Sequence, residues 1–366
     1  MSTPRQLVSH LQRFGPASRA DLARDLSLSR PTTSLATEGL LRRGVLEELG
    51  PGRSSLGRPP TLLRLNARHR VVLGVELDVN TFQMALGDLQ GEPLAQLERP
   101  YDPEAPEIAL RAAAAELRAA HGAGPTPCVA LGLPGVVEAG ALHYAPKLPH
   151  LERPGALARL RATFERPGEA SPQVLFHNDV NLAAVGEARP DELLALLWIG
   201  SGLGVGLAEG RRVRAGHGGR AGEIGYLPLP GGQPLERVLC AEGLAQALGL
   251  APAQLDAALH GEDPPLLRSA AVAPFLDALV FALQLLTLTL DPARIVIGGR
   301  VGVKLGAQLH GLHARLRGTL PFAPELHRSA RPRQPVTAGA LKLAAAAAFR
   351  ELLRELDPKV ALSSAP

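Results

Sequence analysis

The chain has 366 residues, enough for two or three domains with a sizeable buried core. Hydrophobic residues make up 46% of it and charged residues 20%, which is typical of folded and not of disordered proteins. Its two cysteines, Cys128 and Cys240, exclude a disulfide framework and a cysteine-rich zinc site. The N-terminus lacks the apolar core of a signal peptide, and no apolar run is long and uncharged enough to span a bilayer. We therefore expect a cytoplasmic protein that does not contact a membrane.

Charge is distributed unevenly along the chain. Residues 1–70 hold twelve arginines and five acidic residues, a net charge of +7, so the other 296 residues carry −3 of the total of +4. A basic segment beside a slightly acidic one is typical of proteins that contact nucleic acid through one domain. The chain also prefers arginine throughout, since 35 of its 39 basic residues are arginine. The net charge therefore indicates nucleic-acid binding only if a DNA-binding motif is found in the same segment.

Residues 3–43 carry the pattern of three short helices. Thr3 is predicted as the N-cap of the first helix. Ser18 is predicted to be the N-cap of the second helix, and Ser29 the N-cap of the third helix, which ends the three-helix segment. The buried side of the third helix is predicted from its leucines, Leu35, Leu40 and Leu41.

The first turns of the third helix are small, polar and basic, as suits a recognition helix that enters the major groove of duplex DNA. Two strand-like segments, residues 45–49 and 61–65, then flank a loop rich in glycine and arginine. This pattern is typical of a wing that reaches backbone phosphate or the minor groove. A three-helix protein-interaction module is the alternative. The residues predicted to face DNA are Ser29, Arg30, Thr32, Thr33, Ser34, Arg53 and Arg58.

From residue 71 onward strands alternate with helices, which predicts an α/β body. Several of these strands end in polar or glycine-rich turns, the places where open α/β sheets bind ligands. Asn178 and Asp179 follow one strand, and residues 200–206, with four glycines, follow another. A third strand ends in Gly298 and Gly299.

The order of these motifs resembles the ROK family, named for repressors, open reading frames and sugar kinases. The resemblance extends over roughly residues 70–350, and the Gly-Arg-Pro-Pro sequence of residues 57–60 resembles the wing of the repressor branch. It implies an α/β, two-lobed, actin-like (ribonuclease H-like) ATPase fold with the ligand cleft between the lobes. The implied domains are a winged helix-turn-helix over residues 1–67, an N-terminal lobe over residues 68–185 and a C-terminal lobe over residues 186–366, whose last helix packs back on the N-terminal lobe.

The resemblance also implies roles for single residues. Asp179 matches the general base of the sugar kinases, and Asn178 matches a ligand of neighbouring hydroxyls; an Asx-turn that stabilises the loop is the alternative. The implied sugar-binding residues are Asn178, Asp179, Glu223, Tyr226 and Glu236. The implied remnants of nucleotide binding are Gly200, Ser201, Gly202, Gly204, Gly298 and Gly299, for which strand–helix packing is the alternative.

Two departures from the family pattern change what is expected. Tyr226 stands where the family has a zinc-binding histidine, and residues 227–236 lack the family's cysteines, so we expect no metal. The first phosphate turn normally carries two glycines, but here it reads Asp78 and Val79. A carboxylate and a β-branched residue both disfavour bound phosphate. We therefore expect no efficient use of ATP and no cofactor.

These features predict a sugar-responsive, DNA-binding transcriptional repressor whose kinase-like body is catalytically inactive. Its expected partners are a duplex DNA operator with an inverted repeat, a sugar or sugar derivative, and a second copy in a homodimer or a dimer of dimers. Two alternatives stay open. One is an ATP-dependent, glucokinase-like sugar kinase with an added DNA-binding head, in which Asp179 is catalytic. The other is a regulator whose body only dimerises.

Overall fold

The computed structural model describes residues 1–51, 60–121, 124–331 and 334–357. Arg53 and Arg58, both predicted to face DNA, lie outside the described residues. Three sheets of three or five strands organise the described residues, one in the first 65 residues and one in each of two larger lobes, and a two-stranded hairpin adds a small fourth sheet. The domain boundaries given above stay predictions, although each of the three sheets falls within one of the predicted domains.

The first 65 residues, here called the head, form three helices and a small antiparallel sheet of order β1-β3-β2. A buried set of leucines and valines from all three helices and from the sheet forms its core. The elements are α1 (Thr3–Phe14), β1 (Ala17–Ser18), α2 (Arg19–Asp25), α3 (Arg30–Arg42), β2 (Leu46–Pro51) and β3 (Thr61–Leu65).

The predicted helix caps in the head are confirmed at two of three positions. The Ser18 hydroxyl accepts the backbone N–H of Asp21, and Ser29 accepts that of Thr32. The prediction for Thr3 is wrong by one residue, because Ser2 is the extended N-cap and Thr3 is already helical. The prediction for Leu35 is also wrong: it is 70% exposed, since the buried face of α3 runs through Thr33, Thr37 and Leu40 at helical spacing.

The N-terminal lobe is built on a five-stranded sheet of order β10-β7-β4-β5-β6. Three consecutive strands form an antiparallel meander, and two further strands add parallel to its first strand. Its elements are β4 (Val71–Leu77), β5 (Thr81–Asp88), β6 (Pro93–Pro100), α4 (Pro106–Ala120), β7 (Cys128–Leu133), the hairpin β8 (Val136–Glu138) and β9 (Ala141–Tyr144), α5 (Ala156–Ala162), β10 (Gln173–Asn178) and α6 (Asp179–Glu187).

The C-terminal lobe repeats this sheet, with order β13-β12-β11-β14-β15 and the same division into antiparallel and parallel strands. Two copies of one sheet arrangement are what the predicted two-lobed fold requires. The elements are β11 (Leu193–Ile199), β12 (Leu203–Glu209), β13 (Arg212–Val213), α7 (Leu235–Val238), α8 (Ala241–Ala247), α9 (Leu255–Ala258), α10 (Ala273–Leu290), β14 (Arg294–Gly298), α11 (Gly299–Gly302), α12 (Leu309–Thr319), β15 (Glu325–Arg328) and α13 (Pro335–Glu355). Short 3-10 helices lie at Ala67–His69, Pro149–Glu152, Ile224–Tyr226, Pro252–Gln254, Pro265–Arg268, Ala270–Val272 and Gly306–Gln308.

The last helix, α13, leaves the C-terminal lobe and packs on the N-terminal sheet and on α6. Glycine permits the close approach of the two helices: a Cβ added to Gly339 would lie 1.7 Å from the carbonyl oxygen of Leu182. Buried residues of the head, of α6 and of α13 belong to one continuous apolar core. The head therefore packs against the same helix layer that joins the two lobes.

One segment, Ala270–Leu290, is long and apolar enough to cross a membrane by length and composition alone. It contains α10, whose buried side, including Phe275, Leu279 and Leu283, packs in the core of the C-terminal lobe. This packing in the core of the lobe explains why α10 is apolar.

Replacing Gly339 by alanine is expected to destabilise the protein by about 3 kcal/mol, because the added methyl group meets the Leu182 carbonyl and the helices must separate. Gly311→Ala is the control, since Gly311 lies in α12 with no atom within 4 Å of an added Cβ. Urea denaturation of both variants measures the difference. Equal stability of the two variants would show that the α6–α13 crossing is not close-packed.

Candidate functional site

A cleft of about 260 Å³ lies between the two lobes. The N-terminal lobe lines it with the β8–β9 hairpin region and the start of α6, and the C-terminal lobe with the β11–β12 turn and the segment around residues 223–236. The structure brings together all five residues implied for sugar binding, which are Asn178, Asp179, Glu223, Tyr226 and Glu236. Their roles in binding stay predictions.

Asn178 ends β10 and caps α6. Its side-chain oxygen accepts the backbone N–H of Asn181 at 3.0 Å, and its amide nitrogen donates to the carbonyl of Gly135 at 3.1 Å. Because an amide nitrogen carries two N–H groups, one donor remains for a ligand in the cleft. The stabilising role that the sequence left as an alternative is therefore present, and it is compatible with contact to a hydroxyl.

Asp179 occupies the first turn of α6, where its Oδ1 accepts the backbone N–H of Val180 at 2.8 Å. Withdrawal from water raises the pKa of Asp179, and Asp78 nearby raises it further. The backbone hydrogen bond and the Lys147 ammonium act in the opposite direction. A carboxyl with a raised pKa facing a cleft can either accept a proton from a hydroxyl or donate a hydrogen bond to it.

Glu223 and Glu236 supply two further carboxylates from the C-terminal lobe. Burial, Glu236 and Asp179 all raise the pKa of Glu223. Glu236 accepts the backbone N–H of Leu203 at 3.1 Å, which fixes its carboxylate against the β11–β12 turn. Carboxylates held in this way at separate points of one cleft can accept hydrogen bonds from several hydroxyl groups of a polyol.

Tyr226 lies at the mouth of the cleft and is 66% exposed. Burial and the neighbouring Tyr144, which comes from β9 of the opposite lobe, raise the pKa of Tyr226 above its ordinary value. Two of the chain's three tyrosines therefore lie near each other at the cleft entrance.

The loop of residues 227–236 is closed by its own backbone. Leu229 N–H donates to Gln233, Gly232 N–H to Leu229, and Leu235 N–H to Leu227. No group of three or more His, Cys, Asp or Glu side chains suited to a metal ion occurs among the residues that the structure describes. The absence of zinc stays a prediction, but the backbone bonds account for the shape of the loop.

The glycines implied as remnants of nucleotide binding fall into two groups. Ser201, Gly202 and Gly204 line the cleft, whereas Gly200, Gly298 and Gly299 do not. A Cβ on Gly298 would lie 2.9 Å from the Trp198 ring, and one on Gly299 would lie 2.4 Å from the Ile199 carbonyl oxygen. Close packing against β11 thus explains Gly298 and Gly299.

The turn between β4 and β5, which replaces the first phosphate loop, is closed on itself. Asp78 N–H donates to the Thr81 carbonyl, the Asp78 carboxylate accepts the N–H of Val79 at 2.8 Å, and the Tyr101 hydroxyl donates to the Asp78 carbonyl at 2.6 Å. The amide that a phosphate would need is bound to a carboxylate. This geometry agrees with the expectation that the turn does not hold nucleotide phosphate.

Lys147 and Trp198 are among the residues of the cleft wall that sequence reasoning missed. The Lys147 ammonium crosses from the N-terminal lobe and donates to the Ser201 hydroxyl of the C-terminal lobe at 3.0 Å. A signal was present in the sequence, because Lys147 is one of only four lysines and Trp198 is the only tryptophan.

The head presents most, but not all, of the residues predicted to face DNA. Ser29, Arg30 and Thr32 are exposed and Ser34 is half-buried. The prediction for Thr33 is wrong: it is 1% exposed, and its hydroxyl donates to the Ser29 carbonyl at 3.0 Å. Thr33 faces the core because it lies one helical turn from Thr37, which is also buried.

Two further arginines that sequence reasoning did not single out are exposed at the other end of α3. Arg42 and Arg43, at the end of α3, are exposed like Arg30. None of the three has a carboxylate partner among the described residues, unlike Arg5, Arg19, Arg24, Arg64 and Arg70 of the same basic segment. The unpaired positive charge of residues 1–70 is thus partly concentrated on α3.

Comparison with known proteins gives a consistent result. A family model described as "ROK family" matches residues 72–310. A curated relative, the xylose repressor of Caldicellulosiruptor bescii, is 28% identical over 231 residues, which cover 58% of this chain and 55% of the relative. The chain spans about half the length of the curated relatives it matches.

Two solved structures share the fold. A ROK family transcriptional regulator, described as a homolog of the E. coli MLC protein, matches with a TM-score of 0.70 and 20% identity over 96% of this chain and 97% of its own. A ROK hexokinase from Thermus thermophilus matches with a TM-score of 0.62 and 23% identity over 77% of this chain and 99% of its own. At these identities the matches establish a common architecture.

The carboxyl of Glu76, on β4, is expected to make the protein less stable as pH rises. Burial, together with Asp179, Asp78 and Glu98, raises the pKa of Glu76 from 4.5 to about 8. Between these values the folded chain holds a proton that the unfolded chain has lost, so stability falls as pH increases through this window.

Glu76→Gln removes this group and is expected to be the more stable protein at pH 8.5 by about 1 kcal/mol or more. At pH 5 the variant and the wild type should differ little. Thermal unfolding at both pH values measures the difference, with the exposed Glu165→Gln as a control. A pH dependence identical in wild type and Glu76→Gln would contradict the assignment.

Proposed function

The chain belongs to the ROK family, and we propose that it is a sugar-responsive transcriptional regulator, a repressor, whose head binds DNA and whose body binds the effector. One observation carries the proposal: the cleft combines an array of hydroxyl-binding groups with a first phosphate turn that is closed against nucleotide. A body with this cleft is suited to binding a sugar without phosphorylating it. The curated relative named xylose repressor and the regulator that shares the fold along 96% of the chain support the same function.

We propose that the head is a winged helix-turn-helix. In this proposal α2 and α3 are the two helices of the motif, and the antiparallel strands β2 and β3 are the strands on either side of the wing. The exposed N-terminal turn of α3 carries Arg30 and Thr32, and hydrogen-bond donors at this place reach base edges in the major groove. Because each chain has one such helix, we expect a two-fold pair to bind an inverted repeat.

The second candidate function is that of a sugar kinase, which the position of Asp179 favours, because it faces the cleft at the N-terminus of α6. The turn at Asp78 and Val79 counts against it, since it offers a carboxylate where kinases of the family offer glycines. Catalytic inactivity is therefore part of the proposal.

A continuous set of contacts joins the cleft to the head. Helix α6 begins at Asp179 in the cleft and crosses α13. At the far end of α13, Asp357 pairs with Arg5 of α1 at 3.2 Å, and Glu355 pairs with Arg70. Asp357 and Arg70 are both nearly buried, which makes separation of these pairs costly. This arrangement supports a route by which movement of the lobes on a ligand changes the placement of the head.

Arg30→Ala is expected to weaken binding to duplex DNA about tenfold or more, because an unpaired arginine on the recognition helix is lost. The slope of log affinity against log salt concentration is expected to become shallower by about one. The measurement is fluorescence anisotropy at several salt concentrations, with a duplex selected from a random pool by the wild-type protein. Arg317→Ala, an exposed arginine on α12, is the control with the same change of charge. Equal loss in both variants would show that α3 has no special role.

Asp179→Asn is expected to weaken sugar binding about tenfold, since one charge-assisted hydrogen bond is lost, while DNA binding by the head without sugar persists. The dissociation constants of xylose, glucose and N-acetylglucosamine are measured by titration, with the fluorescence of Trp198, the only tryptophan, as the signal.

A coupled ATP assay over the same sugars is expected to show no phosphorylation by the natural chain. Sugar phosphorylation that Asp179→Asn abolishes would replace the regulator by the kinase. Absence of any sugar binding would leave a regulator whose body only dimerises.

A further inference from the structure

Two exposed tyrosines at the opening of the cleft are the feature that hydroxyl binding alone does not explain. Tyr144 is 51% exposed and Tyr226 is 66% exposed, and both line the cleft, one from each lobe. Aromatic residues make up only 3% of the chain, and its third tyrosine, Tyr101, is nearly buried. Exposed apolar surface that is grouped at one opening, and not scattered singly, marks a place where a ligand binds.

The faces of the two rings are free for a ligand. Neither ring stacks on another aromatic ring or lies beneath an arginine in the part of the chain that the structure describes. A sugar ring offers a matching surface, because its C–H groups form an apolar face while its hydroxyls project from the edge. Burial of such a face against an aromatic ring removes apolar surface of both groups from water, which is favourable.

The backbone holds each tyrosine beside residues that are implied to bind sugar hydroxyls. Tyr144 ends the β8–β9 hairpin, and the carbonyl of Gly135, just before this hairpin, accepts the Asn178 amide at 3.1 Å. Tyr226 ends the short 3-10 helix that has Glu223 as its N-cap. A tyrosine side chain has only two rotatable torsions, so little conformational entropy is lost when a ligand orders it. Both rings are therefore held in place next to the hydroxyl-binding site.

The position of the two rings limits what can cover them. Both belong to the cleft wall, so a partner protein would have to insert a segment between the lobes to reach them. A ligand that already occupies the cleft reaches them if it continues outward beyond its first ring. Carboxylates inside and aromatic rings at the opening are together suited to a ligand of two linked sugar rings.

We propose that Tyr144 and Tyr226 form an outer subsite that binds the second ring of a disaccharide, whose first ring binds the carboxylates inside the cleft. This inference deepens the proposed function and rests on it. The first ring is held by hydrogen bonds to its hydroxyls, and the second is held by contact of its C–H face with the tyrosine rings.

The test compares monosaccharides with disaccharides of the same units on the full-length protein. Xylose and xylobiose, glucose with cellobiose and maltose, and N-acetylglucosamine and its β-1,4-linked dimer are titrated by isothermal titration calorimetry. At least one disaccharide is expected to bind about tenfold more tightly than its monosaccharide, because a second ring face is buried.

Tyr144→Ala and Tyr226→Ala are each expected to reduce this preference, the ratio of the monosaccharide to the disaccharide dissociation constant, by about fivefold. Tyr144→Phe and Tyr226→Phe retain the rings and are expected to keep most of the wild-type ratio. Phe322→Ala removes a 53% exposed aromatic ring that is not on the cleft wall, and it is the matched control. Thermal unfolding checks the folding of every variant.

The outcomes separate this inference from the function on which it rests. If monosaccharides bind as tightly as the disaccharides, or if both alanine variants keep the wild-type ratio, the outer subsite is wrong and an effector of one ring stands. If the phenylalanine variants lose the preference as fully as the alanine variants, stacking on the rings is wrong. If no sugar of either length binds, this inference and the sugar-binding half of the proposed function both fail.

Discussion

The close crossing of α6 and α13 is the constraint on which the rest of the structure depends. At Gly339 a single added carbon would come within 1.7 Å of the Leu182 carbonyl oxygen, so the two helices have no room to separate or slide independently. Helix α6 starts with Asp179 in the cleft, and α13 ends beside the head. The crossing therefore joins the helix that carries Asp179, proposed to contact the ligand, to the helix whose end contacts the head.

Two ion pairs lie at the end of α13, next to the head. Asp357 pairs with Arg5 of the head, and Glu355 pairs with Arg70, which directly precedes β4; Asp357 and Arg70 are nearly buried. In each pair the partner is partly exposed, so separation would leave one nearly buried charge without its counterion, which is costly. A junction held by them together with a shared apolar core responds to helix movement as a unit.

The sequence predicts much of the fold because its helix-capping residues and its pattern of hydrophobic residues indicate the same helices and strands. The caps at Ser18 and Ser29 are confirmed, and motifs such as Asn178 and Asp179 lie at strand ends where the cleft forms. The prediction from sequence fails where side-chain orientation depends on tertiary packing. Thr33 is buried because it lies on the same side of α3 as Thr37 and Leu40, and Leu35 is exposed. Lys147 could not be placed from the sequence, because its partner lies in the other lobe.

The central claim is that occupancy of the cleft and DNA binding by the head are thermodynamically linked. Operator affinity of the full-length wild type, measured without effector and with a saturating concentration of the tightest-binding sugar, tests this directly. The account predicts a change of about fivefold or more, with an equal change in effector affinity when operator is bound, because linkage is reciprocal. An operator affinity that stays the same at full occupancy of the cleft would contradict it.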